Sequence, residues 1–153
     1  MYSQSCRGSA AVQGLGDYFD ALHKHHFTAP KNSFHARLKD TYGPIVRHEE
    51  ALAKRFVDFL AAKPSVRLLG PVTADPAKRA PTFAFTAKGR KSAEIPPVAE
   101  AKKIAIRNGN FWAWRLLNAL GIDQHDGVVR VSMVHYNTTE EVDRLIQAID
   151  PVL

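Results

Sequence analysis

A single cysteine, Cys6, stands in 153 residues, which excludes an internal disulfide framework and a thiolate cluster for zinc. No apolar run approaches the roughly 20 residues that cross a bilayer as a helix, so no membrane partner is expected. The first stretch, 1–16, lacks the charged start and continuous apolar block of a secretory signal. Walker-type glycine loops, His-Glu-x-x-His and Gly-x-Ser-x-Gly are also missing. So are internal repeats and low-complexity tracts. The expected compartment is reducing and cytoplasmic.

What is present begins with charge. The net charge is +6, but the basic residues are scattered, and the densest group, Lys78 to Lys91, brackets an apolar strand instead of forming a stripe. A scattered excess of lysine and arginine is more often a solvated face than a nucleic-acid footprint. No nucleic-acid partner is expected.

Periodicity divides the chain. Val12, Leu15, Phe19 and Leu22 fall on one helical face of 9–22. A second helical region is expected over 33–62, either kinked by Pro44 or restarted there. Its apolar stripe is Ile45, Leu52, Phe56, Phe59 and Leu60. Beyond Lys63-Pro64 the period changes to two. Strands are expected at 66–69, 82–87, 104–107 and 128–135, with a Pro-interrupted helix over 92–103 and a short helix over 111–120. Asn108-Gly109-Asn110 reads as a turn. Thr138 followed by Glu141 is a capping box opening a last helix, with Val142, Leu145, Ile146 and Ile149 on its buried face.

The expected fold is α+β: a small sheet of about four strands with helices packed on one face, after a long N-terminal helical segment. The boundary falls between 1–62, helical, and 63–153, α+β.

Among candidate functional residues Arg130 comes first. It shares a strand face with Val128, Ser132 and Val134. An arginine within such an apolar strand is costly unless its guanidinium meets an anion, and its planar fork matches a carboxylate bidentately. A snorkelling edge-strand arginine, or one paired with a local acid, is the simpler reading of the pattern alone. Arg107, Asn108 and Asn110 follow, as polar tips at a strand end just ahead of a helix. His23, His25 and His26 lack a matching carboxylate or cysteine and read as a solvated loop, not a metal site. Cys6 lies beside Arg7, with no base placed for it.

Five segments carry a family resemblance. Arg107-Asn108-Gly109-Asn110-Phe111-Trp112-Ala113, then Arg130-Val131-Ser132-Met133-Val134-His135-Tyr136-Asn137-Thr138, then Glu140-Glu141-Val142-Asp143-Arg144-Leu145, resemble the C-terminus of class V aminotransferases, especially the cysteine desulfurase-like subgroup. Upstream, Arg79-Ala80-Pro81-Thr82 is similar to the family's Arg-x-Pro-Thr strand, and 9–22 to the helix after its cofactor-binding lysine. The resemblance implies a pyridoxal-phosphate enzyme acting on an amino acid. Arg130 would grip the substrate α-carboxylate, with Arg107, Asn108 and Asn110 at the active-site mouth.

The departures matter equally. Trp112 stands where true desulfurases of the related group place a nucleophilic cysteine, so persulfide chemistry by that route is not expected. Pro96-Pro97 breaks a helix that the family keeps. No lysine lies in the context of the Schiff-base lysine, which is expected to precede the chain. The resemblance therefore implies a C-terminal small domain, without catalytic residues or cofactor of its own, whose full-length parent binds pyridoxal phosphate. Its partner would be the missing large domain, or itself as a homodimer through 9–22 and the stripe Leu52 to Leu60. The alternatives are a stand-alone interaction module pairing with a separate large-domain chain, and an unrelated α+β binding domain.

Overall fold

The computed structural model describes residues 4–29 and 31–153, with side chains from Val12 onward; Cys6, for which the sequence places no base, falls outside the described side chains. Two compact units divide the chain, Met1–Arg47 and His48–Leu153.

The first unit contains helix α1 (Gln4–His26) and the start of α2 (Phe34–Ala61). Helix α1 continues through the histidine tract that the sequence assigns to a loop, and the Phe27 N–H closes on the His23 carbonyl at 2.8 Å. His23 is buried rather than solvated. Its ring stacks on Phe27 at 5.0 Å, and Nε2 lies 3.4 Å from Asp40 Oδ2. His25 and His26 are exposed. The correction has a simple cause: His23 completes the apolar face begun by Phe19, one helical turn earlier. Phe19 stacks on Tyr42 at 5.6 Å, and Arg37 grips Asp20 with both arms of its guanidinium, at 2.7 and 2.9 Å. That bidentate bond holds the Asp20 carboxyl below its ordinary pKa.

Ser33 Oγ accepts the Ala36 N–H at 3.2 Å, capping α2. Pro44 sits inside this helix without ending it, so a restart there is corrected. Proline lacks the N–H that would bond the carbonyl four residues back; the helix tolerates the loss of one bond.

The second unit holds β1 (Val66–Leu68), β2 (Thr82–Ala87), α3 (Pro96–Glu100), β3 (Arg107–Gly109), α4 (Trp114–Ala119), β4 (Val128–Ser132) and α5 (Thr139–Ile149). The strands form one antiparallel sheet in the order β1-β2-β4-β3. The α+β architecture is as expected. Boundaries shift: the strand expected at 104–107 pairs only over Arg107–Gly109, and the one expected to reach His135 stops at Ser132.

Period two sorts the sheet's faces. Phe83 and Phe85 of β2 oppose Val131 and Val129 of β4, and all four are buried. Over them lie Leu52, Phe56 and Leu60 of α2 and Val142, Leu145 and Ile149 of α5, with the Phe56 and Phe83 rings edge-to-face at 5.1 Å. The stripe Leu52 to Leu60, expected as exposed interface, is therefore core. Deleting a ring of this size from such a core costs about 3–5 kcal/mol. Val12 and Leu15 of α1 are exposed, as expected for 9–22.

Helix α5 starts with the capping box read from the sequence. Thr138 Oγ1 accepts the Glu141 N–H at 3.2 Å, and Glu141 Oε2 accepts the Thr138 N–H at 3.0 Å. Asn137 Nδ2 also donates to Glu141 Oε2 at 3.0 Å. The Asn137 bond first, and the Thr138 N–H second, hold the Glu141 carboxyl below its ordinary pKa of 4.5. A depressed carboxyl pKa contributes stability that is present above the unfolded value and lost as pH falls through the folded one. We expect Thr138→Ala to lower stability by about 1 kcal/mol in urea denaturation at neutral pH. Glu141→Gln should flatten the acid limb of the stability profile below the ordinary glutamate pKa, and an unchanged acid limb would show that the box carries no linkage.

Candidate functional site

The face of the sheet opposite the core is built by elimination. Val129 and Val131 point inward, so Arg130 between them points outward. Register then places Arg107 of β3 and Ala84 of β2 directly across from it. Facing residues of an antiparallel pair have Cα atoms about 4.5–5.5 Å apart, so the two guanidinium groups spring from adjacent points. Like charges so placed repel. Among the described residues neither arginine is in an ion pair. The Arg130 guanidinium carbon lies instead 4.0 Å from the centroid of the Phe111 ring.

Three other arginines of this unit, Arg67, Arg79 and Arg55, are bonded to carbonyls or a carboxylate. Arg67, on the same face, donates to the Leu120 carbonyl at 3.0 Å. Arg79 donates to the carbonyls of Pro71, Thr82 and Leu69 at 2.9, 3.0 and 2.7 Å and lies over the Phe83 ring at 5.3 Å. Burial lowers its pKa from the ordinary arginine value. Arg55 grips Asp143 through two bonds, one of them 2.7 Å. Arg130 and Arg107 are distinguished by facing each other across paired strands on the outer face of the sheet, and Arg130 by its contact with the Phe111 ring.

The two asparagines behave differently. Asn108 pairs with Val129, so its side chain leaves the sheet on the opposite face from Arg107 and Arg130. There Asn108 Nδ2 donates to Ser92 Oγ at 3.1 Å, and the Ser92 N–H donates to Asp126 Oδ1 at 2.8 Å. Asn110 shapes the turn itself. Its Oδ1 accepts the Trp112 N–H at 3.0 Å, its carbonyl accepts the Ala113 N–H at 2.8 Å, and Nδ2 donates to the Gln124 carbonyl at 3.4 Å. Phe111 and Trp112 both have positive φ, 50° and 61°. Such conformations cost roughly 1–2 kcal/mol each outside glycine, and Asn110 is what holds them. Gly127 closes the approach from the other side: a Cβ there would collide with the Gly109 backbone.

The structure thus brings Arg107 and Arg130 together, and leaves Asn108 and Asn110 as supports. Sequence reasoning missed Phe111, although an aromatic just past an Asn-Gly-Asn turn was a signal for a ring folded back over the strand. Trp112, beside it, is 91% exposed.

The four-stranded antiparallel sheet thus has one face under helices and one that presents Arg107 and Arg130. Residues 41–145 match the family Aminotransferase class-V, and the chain belongs to that family. The family is pyridoxal-phosphate-dependent. The "Aminotransferase-like protein FGM3" of Gibberella zeae is 42% identical over 75% of this chain and 29% of its own length. The "Cysteine desulfurase-like protein ustD" of Aspergillus flavus is 36% identical over 76% and 28%. Among solved structures, the apo cysteine desulfurase of Thermococcus onnurineus superimposes with a TM-score of 0.66 at 26% identity, over 78% of this chain and 28% of that one. The chain therefore spans less than a third of the length of these relatives.

A pyridoxal cofactor needs a lysine for its Schiff base, an acid against the pyridine nitrogen and donors for its phosphate. The described lysines are exposed, except half-buried Lys63, which is paired with Asp150. Two cavities contain lysine. One, of about 230 Å³, has Lys103 with Glu141, whose carboxylate is held by Asn137 and Thr138. The other has Lys24 and Lys31 with Asp20, held by Arg37. The residues present do not fit the whole cofactor. Among the described residues no cluster of histidine, cysteine and acid is placed for a metal, and no helix is long and apolar enough to cross a membrane.

Arg79→Ala should destabilise the fold by about 2 kcal/mol, because it strips donors from several carbonyls at once. Arg79→Lys should recover only part of this, since an ammonium cannot reproduce the fork. A loss under a few tenths of a kcal/mol in chemical denaturation would contradict the structural role.

Proposed function

We propose that the chain is the C-terminal small domain of a class V aminotransferase or cysteine desulfurase-like enzyme, and that it supplies the grip on the substrate α-carboxylate. Arg130 is the principal ligand and Arg107 its neighbour. The observation that carries this reading is their juxtaposition: directly opposed on the open sheet face, in no ion pair among the described residues. A bidentate carboxylate would relieve the repulsion and satisfy the fork together. Asn108 and Asn110 assist by fixing the turn.

On this reading 1–62 corresponds to the end of a large domain and a connecting helix, and 63–153 to the small domain. The partner is the large pyridoxal-phosphate-binding domain, within an enzyme that is a homodimer in a cytoplasmic compartment. Relatives of which the matched segment makes up less than a third support the partner domain, and exposed Val12 and Leu15 support a surface for it. The substrate is an amino acid, and no nucleic acid is involved. Without a lysine set for a Schiff base, the chain has no activity alone.

Two experiments test these statements. Pyridoxal phosphate titration with borohydride reduction and peptide mapping should show only scattered, low-level lysine labelling. A specific, saturable adduct released by an added amino acid would overturn the claim of inactivity. In acetate titrations followed by NMR, Arg130→Gln should weaken binding by roughly ten- to a hundredfold. Arg107→Gln should have a smaller effect. Acetate affinity indifferent to both changes would remove the carboxylate assignment.

A further inference from the structure

Arg130 is held in place, yet no acid holds it. Its guanidinium carbon is 4.0 Å from the Phe111 centroid, well inside the roughly 6 Å over which an aromatic face attracts a cation. We infer that Phe111 is a positioning residue for Arg130: its ring carries the guanidinium and orients the fork, leaving the N–H donors free for an incoming carboxylate. The inference rests on the carboxylate role of Arg130 proposed above.

The alternatives differ chemically. A neighbouring aspartate or glutamate would also fix the side chain, but it would occupy the fork and compete with a substrate carboxylate. An aromatic face attracts the cation through its quadrupole and takes no hydrogen bond. It also offsets part of the repulsion from Arg107, which sits directly across the strands. Three arginines of the unit show the contrast. Arg55 is filled by Asp143, and Arg79 and Arg67 by carbonyls. Arg130 has a ring.

The backbone around Phe111 is arranged for this. Gly109 at φ 130°, Phe111 at 50° and Trp112 at 61° reverse the chain between β3 and α4. The Asn110 side chain bonds the Trp112 N–H and the Gln124 carbonyl, fixing the reversal. Phe111 is half-buried in this turn while Trp112 beside it is open to solvent. Two aromatics share the strained turn, and only the first returns to the sheet.

The test uses the full 153-residue chain and reads the Arg130 Nε–Hε resonance, assigned by its loss in Arg130→Lys. In the unaltered protein this proton should lie upfield of the other arginine Hε signals, from the ring current of Phe111, and should move saturably with acetate. Phe111→Leu should abolish the upfield displacement and weaken acetate by roughly three- to tenfold. Phe111→Tyr, which keeps the ring, should restore both. An Hε signal without displacement in the unaltered protein would overturn the inference. So would a folded Phe111→Leu variant that binds acetate as tightly as the unaltered chain. If the leucine variant loses its amide dispersion, the unaltered and tyrosine proteins decide: a shared displacement supports the inference, and its absence in either overturns it. A displaced Hε that acetate never moves would instead remove the carboxylate role while leaving the stacking.

Discussion

The contact of Phe83 and Phe85 with Val131 and Val129, sealed under Phe56 and Leu145, fixes the sheet's inward face. Side chains of a strand alternate without exception while the pairing is regular, so committing Val129 and Val131 inward commits Arg130 outward. A slip of one residue would drive a guanidinium into the core and put valines in water. The free energy that opposes this slip also aims the arginine. No separate device is needed to present it, and the pairing with β3 then brings Arg107 alongside.

Around that axis, polar side chains divide into those that build and those that wait. Asn108, Asn110, Ser92 and Asn137 each satisfy backbone or neighbouring side chains close to where the chain must reverse. Arg67, Arg79 and Arg55 cross-link loops and helices through carbonyls or a carboxylate. Arg107 and Arg130, opposed on the outer face of the sheet, are exposed and in no ion pair among the described residues. A site of this kind is preorganised by what surrounds it. The turn beside it is strained at Phe111 and Trp112, Ser92 behind it is buried, and the two arginines are exposed.

Much of this was legible in the sequence, where local chemistry decides structure. The alternation in TFAFTA and the Thr138–Glu141 box fold as read, and the arginine strand does so as far as Ser132, because each signal is confined to a few residues. The misreadings involve tertiary context. His23 looked like loop because its neighbours are polar, yet Phe27 and Asp40 give it a buried place. The stripe Leu52 to Leu60 looked like an interface because its covering sheet lies far along the chain. Of the two readings left open at Pro44, a kink or a restart, one helix runs through, because packed flanks survive one missing N–H. Asn108 and Asn110 were read as one polar tip. Strand pairing through Asn108 puts their neighbour Arg107 on the far side of the sheet from the Asn108 side chain.

The connection between β1 and β2 shows a different economy. Arg79 reaches Leu69 and Pro71 at one end of it and Thr82 at the other, so a single guanidinium laces both ends together. Closing a loop costs conformational entropy that grows only logarithmically with its length, about 0.6 kcal/mol per doubling. A lace of hydrogen bonds can meet much of that cost without a covalent link. It also makes the connection cooperative: the bonds share one side chain, so its departure frees all of them together. This segment should therefore breathe as one unit, opening and re-closing while the sheet beneath stays paired.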